Sequence, residues 1–146
     1  MGWIKQRIKQ LREKHNTVDP YELASLLNIM VIPFNLHEEI NGFYQYDRRN
    51  KYIFINCNLA DDMQRVVCAH ELGHALLHTR SNTHFLRNNT FLSVDKIENE
   101  ANTFAAELLL SDDDFRENSH LSFQQIASLH HVPVELVKLK RKDLFL

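Results

Sequence analysis

The sequence predicts a mostly helical α+β fold: a small three-stranded, antiparallel sheet packed on two central helices, with a helical pair at the C-terminal end. Three observations carry this. Apolar residues recur at helical spacing through most of the chain. Three short runs rich in β-branched and aromatic residues, "IMVIPF", "GFYQY" and "KYIFIN", read as strands. Gly and Pro, three of each in 146 residues, are too scarce for a fold made mainly of turns and strands. The length suits one ordinary core that needs neither disulfide nor metal to fold. We divide it into residues 1–118 and a helix-turn-helix-like tail, 119–146, packed on them.

In chain order, Trp3, Ile4, Ile8 and Leu11 form the apolar stripe of a first helix, with Lys5, Arg7, Lys9, Arg12 and Lys14 around it. Such a stripe faces a core more often than a membrane. In "DPYELASLLNI", Asp19 is an N-cap, Pro20 takes the first helical position, Glu22 completes a capping box and Asn28 is the exit. The strands follow, separated by polar turns; Pro33 has no N–H, so the first strand belongs at an edge or end. From Asn58, a cap with Asp61 at the third helical position, a buried helix runs to Leu77. "RSNTHFLRNNTFLS" reads as a polar loop, and "VDKIENEANTFAAELLL" as a second core helix with Ile97, Ala101, Phe104, Ala105 and Leu108 inward. In the tail, Ser122 and Gln125 cap one short helix and another begins near Pro133.

Charge and cysteine usage exclude several classes. A net charge of -2 gives no global reason to bind nucleic acid or an anionic membrane. Cys57 and Cys68, an isolated pair, do not form a secreted disulfide framework and fit a reducing cytosol. The charged N-terminus lacks a signal-peptide core, no run approaches the length of a membrane span, and Gln6 stands where a myristoylation motif wants Ser or Thr. The expectation is a cytoplasmic protein without a membrane partner.

"CAHELGHALLH", residues 68–78, is the informative stretch. Glycine inside a helix costs about 1 kcal/mol relative to alanine, and buried imidazoles need partners. His70 and His74 lie on one helical face, about 6 Å apart along the axis, and can converge on one ion. Glu71 completes H-E-x-x-H, in which the carboxylate is a general base beside zinc. Gly73 lets another element approach closely. His78 continues the ladder but stands about 12 Å from His70 along a straight helix, too far to share the ion, so it reads as a helix-end, packing or substrate-side residue. Catalytic zinc takes three protein ligands and a water. "ENEANTFAAE" offers Glu98, Glu100 and Glu107; we select Glu100, beside Ala101 and one turn from Phe104, because an acid at the core boundary needs a cation.

"HELGHALLH" followed by "ENEANTFAAELLL", and preceded by "YIFINCNLADDMQRVVCAHELGH", resembles the ImmA/IrrE family of zinc metallopeptidases over residues 20–110. The resemblance implies a gluzincin site: one zinc per chain on His70, His74 and Glu100, with Glu71 as catalytic acid/base. It also implies, as substrate, a helix-turn-helix repressor of a phage or mobile element. The family often continues "LLL" with Met-Pro; this chain has "SDDDF", a departure on the substrate side of the site.

Peptide hydrolysis is the expected reaction, with His78, His84, Tyr44 and Tyr46 as candidate oxyanion or substrate contacts. A free edge on "KYIFIN" would let an extended peptide pair with it. In the tail, Ala127, Val132 and Val137 resemble a helix-turn-helix framework with His131 at the turn, and Lys138, Lys140, Arg141 and Lys142 make a basic cluster. Packing on the protease is favoured over DNA binding by the overall charge. Two rival readings differ in class: a zinc-binding sensor without catalysis, and a transcriptional regulator whose tail touches DNA.

Overall fold

The structure is a computed structural model that describes residues 2–86 and 95–144, with the backbone alone at 83–86 and 143–144. Helix α1 (Gly2–His15) buries Ile4, Ile8 and Leu11 and leaves Trp3 outside. In α2 (Pro20–Leu26), the Tyr21 N–H donates to the Asp19 side chain. Glu22 does not close the capping box on Asp19: the Asp19 N–H donates to the Thr17 hydroxyl, which donates to Glu22. Asn28 turns the chain out with a positive φ of 59°.

Strands β1 (Ile29–Phe34), β2 (Ile40–Asp47), β3 (Asn50–Asn56) and β4 (Thr83–Leu86) form one sheet in the order β1-β3-β2-β4. This corrects the expected three-stranded antiparallel arrangement in two ways. β1 runs parallel to β3, because the hairpin to β2 inserts β3 between the first two strands. β4, from the stretch read as loop, adds antiparallel to β2; the rest of that stretch, 87–94, lies outside the described residues. β3 is therefore interior, flanked on both sides, and its edge is closed to a peptide. Pro33 sits on edge strand β1, where its missing N–H costs no ladder bond.

Tyr44, Ile53 and Ile55 are buried on the face toward α3 (Asp61–Leu77). Gly42 sets that approach: a Cβ there would lie 2.6 Å from Phe54 O and 2.7 Å from Val67 Cγ1. Asn56 ties the strand to the coming helix, its Nδ2 donating to the carbonyls of Leu36, His37 and Ile40 while its Oδ1 accepts from the Asn58 N–H. Asn58 is thus not the cap of α3. Ala60 is, without a side-chain bond, and Asp61 and Asp62 supply negative charge to the positive end of the helix.

α4 (Lys96–Leu109), capped by Asp95, packs along α3. A Cβ on Gly73 would sit 3.1 Å from Phe104 Cβ, so the glycine does admit the neighbouring helix. The "SDDDF" departure folds as a short helix, α5 (Asp112–Glu117), with a Ser111–Asp114 capping box. α6 (Phe123–His130) has the expected Ser122–Gln125 box, and His131 makes the turn to α7 (Val134–Leu144) in the left-handed region, φ 57°. Ile126, Ala127, Val132, Leu136 and Val137 share the buried cluster of the other helices. Lys140 is not part of a basic surface: it is 1% exposed, bound to Glu107 at 2.7 Å and to Asp112. No helix among the described residues is long and apolar enough to cross a membrane.

Candidate active site

The helix period puts His70 and His74 on the side of α3 that meets α4, and both, with Glu71, are wholly buried. His70, Glu71 and His74 offer donor atoms that all lie within 4.8 Å of one another. The two rings stand edge to face, centroids 4.9 Å apart. Their Nε2 atoms converge on a single carboxylate: Glu98 lies 3.1 Å from His70 Nε2 and 2.9 Å from His74 Nε2. Each Nδ1 has its own partner. That of His70 is 2.7 Å from Asn102 Oδ1, and that of His74 is 2.9 Å from His78 Nδ1, whose ring reaches Glu100 through Nε2 at 3.0 Å.

Glu98, and not the selected Glu100, therefore stands between the two histidines. Register explains the difference. Glu98 and Asn102 are four residues apart and share the face of α4 turned to His70, whereas Glu100 is displaced by about 200° around the helix at 3.6 residues per turn. Glu107, the third candidate, is at the opposite end of α4 on Lys140. Nearness to apolar residues did not separate the three, since all are buried. The usable signal was two ladders of the same spacing: His70 and His74 on one helix, Glu98 and Asn102 on the other. Asn102 was missed for the same reason.

The Glu71 carboxylate is the anomaly of the core. Its Oε1 is 3.7 Å from His70 Nε2, and both oxygens are buried with no hydrogen-bond partner among the described residues. Burial pushes this carboxyl well above the usual carboxylate range, and the charge of Glu98 adds to the effect. Burial also raises Glu98, but its hydrogen bonds with His70 and His74 outweigh this and hold it down at about 2. His70 is lowered, chiefly by burial, toward the neutral ring. Two imidazoles and a carboxylate meeting at one point, beside a second carboxylate that nothing among the described residues satisfies, form a donor set that fits zinc with an acid/base next to it.

The other sequence candidates fall elsewhere. His78 ends α3 and touches His74 and Glu100, as a helix-end residue. Tyr44 is buried and its hydroxyl donates to Thr79 O at 2.5 Å; burial raises its phenol to about 12, so its proton serves the fold. Tyr46 is half-buried, and its N–H donates to Asn82 Oδ1. The backbone of His84 pairs opposite Phe43, while its side chain lies outside the described residues.

Residues 24–141 match the peptidase family described as the IrrE N-terminal-like domain. The chain is 54% identical over 139 residues to "Uncharacterized immunity region protein 2" of Bacillus phage phi105, covering 94% of this chain and 88% of the relative. It is 34% identical over 134 residues to "Metallopeptidase ImmA" of Bacillus subtilis (strain 168), covering 89% of this chain and 79% of that one. The match runs through both helices of the histidine cluster and on into the tail, and the chain belongs to the ImmA/IrrE family of peptidases.

Proposed function

We propose that the protein is a zinc-dependent endopeptidase in which His70, His74 and Glu98 hold one zinc ion and Glu71 is the general acid/base. The observation that carries this is the Glu98 carboxylate 2.9 and 3.1 Å from the two Nε2 atoms, with Glu71 beside them and unsatisfied. When bound, zinc supplies Lewis acidity toward the scissile carbonyl and the attacking water. Glu71 takes the proton of that water on a carboxylate oxygen and gives it to the leaving amine; burial, which raises its carboxyl, strengthens it as a base. Asn102 holds the ring of His70 in place through Nδ1. We take residues 119–146 as a helix-turn-helix-like tail; its described part packs on the peptidase unit, with Lys140 turned inward and unavailable to DNA.

The substrate we infer is a helix-turn-helix repressor of a phage or mobile element, cut in the cytoplasm. Two features support it: the phage relative is named an immunity region protein, and the second relative is named a metallopeptidase. Incubation of zinc-loaded protein with repressors encoded beside it, followed by mass determination of the fragments, tests activity, partner and cut site together. Glu71→Gln should keep its zinc and lose cleavage by about 10²–10⁴-fold. Zinc retained with no cleavage by either protein would favour the sensor reading, and salt-dependent binding to duplex DNA would favour the regulator.

A further inference from the structure

The chain of contacts that leads away from His74 has no part in the reaction as described. His78 Nδ1 lies 2.9 Å from His74 Nδ1, and His78 Nε2 lies 3.0 Å from Glu100 Oε1. The side chains of His78 and Glu100 are only 8% and 12% exposed. The arrangement depends on where α3 stops. His78 is the C-cap, with φ −131° and ψ 50°, and its N–H still donates to His74 O at 2.8 Å. Leaving the helical path lets the ring lean back over the preceding turn, its centroid 5.1 Å from that of His74.

We propose that Glu100 and His78 form a positioning relay that fixes the tautomer and orientation of His74, and so sets the affinity of the site for zinc. The inference rests on His74 being a zinc ligand through Nε2, as proposed above. A ligating Nε2 must carry the lone pair, which puts the His74 proton on Nδ1. That proton needs an acceptor, and among the described residues the atom in position is His78 Nδ1. A neutral His78 that accepts there must carry its own proton on Nε2, where a carboxylate oxygen of Glu100 accepts it. Each assignment forces the next, and the series ends on a carboxylate oxygen of Glu100. Asn102 does the same service for His70 in one step. Glu100 thus acquires a role near the metal, two bonds removed from coordination.

Three measurements test this on the full-length protein. The first is zinc affinity by competition with a chromophoric chelator, independent of any cleavage assay. His78→Ala and Glu100→Ala should each weaken zinc binding by roughly 10–100-fold, the usual loss when a partner of a ligating histidine is removed. Glu100→Gln keeps an acceptor oxygen for His78 and should bind zinc more tightly than Glu100→Ala. The second is a cycle: because Glu100 acts through His78, the double alanine variant should be no weaker than His78→Ala. The third is the ring-nitrogen ¹⁵N spectrum, where His74 should show a protonated Nδ1 in the parent and a mixture of tautomers in His78→Ala.

Additive losses in the cycle, or wild-type affinity in His78→Ala, would overturn the relay. Glu98→Ala separates that failure from failure of the metal site itself. If it abolishes zinc binding while His78→Ala does not weaken it, only the relay is wrong. If neither matters, both readings fall.

Discussion

Helix α4 carries buried carboxylates near both ends, and the two ends are built on opposite principles. At the C-terminal end Glu107 meets Lys140 at 2.7 Å, and Lys140 also meets Asp112, which Lys5 reaches at 3.0 Å. Two lysines face two carboxylates, and the charges cancel within the protein. At the N-terminal end Glu98 and Glu71 lie among imidazoles, and the described contacts of these two carboxylates include no lysine or arginine. Nine residues of one helix, about 13 Å, separate a cluster complete in itself from one whose charge a divalent cation would balance. A closed buried ion pair serves the fold and asks for nothing further; an open one is costly unless something else binds there.

The sharpest way to break this contrast is to remove a charge from each end. Glu98→Gln should weaken zinc binding by more than about 100-fold, since it strikes a proposed ligand and not one of its supports. Lys140→Met should do the reverse, leaving zinc affinity intact and costing about 3–5 kcal/mol of stability by stranding Glu107 in the core. Chelator competition and urea unfolding of the same two variants give all four values. Loss of stability without loss of zinc in Glu98→Gln would make the N-terminal cluster a second structural ion pair and remove the case for an enzyme.

Two glycines sharpen the comparison at a smaller scale. Gly42→Ala forces a Cβ to 2.6 Å from a backbone oxygen in β3 and 2.7 Å from Val67, and neither the strand nor the helix that carries the site yields easily. A loss of about 1–3 kcal/mol is expected. Gly73→Ala meets only the Phe104 side chain, at 3.1–3.2 Å, and gains about 1 kcal/mol of helix propensity. Its net effect on thermal unfolding should be the smaller of the two. A larger loss at Gly73 would show that the contact between α3 and α4 is more rigid than the sheet.

These contrasts also mark what the sequence makes legible. His70, Glu71 and His74 are visible because their relation is local: the helix period alone brings them together. The α+β class and the caps at Asp19 and Ser122 are visible for the same reason. Glu98 is not, because choosing among three buried glutamates needs the rotation of α4 against α3, which is a tertiary fact. The parallel pairing of β1 with β3 is equally non-local. β4 spans four residues, too few for an alternation to stand out, and exists by virtue of its pairing with β2. Lys140 shows the converse error: a basic run looks like surface until the acids that neutralise one member are located, 28 and 33 residues back.

The exposed rim of the closed cluster gives the smallest effect and a test of sign. Asp112 is partly exposed; burial raises its carboxyl, but Lys140, and then Lys5, more than offset this and hold it below the ordinary 3.8. A folded-state value below the unfolded one means that the pairing contributes stability above the ordinary aspartate range, and that the contribution is lost as pH falls through the lower folded value. Asp112→Asn should therefore be less stable than the parent at neutral pH, by about 1 kcal/mol or less for so accessible a pair. The two unfolding curves should converge once the medium is acid enough to protonate Asp112 in the folded parent. Asp112 also opens α5, where a negative charge favours the helix terminus, and that contribution titrates in the same direction. High salt distinguishes the two origins poorly, but Lys5→Met does so well: if the lysines set the value, this variant moves the convergence toward higher pH, and if the helix terminus sets it, the convergence stays where it was.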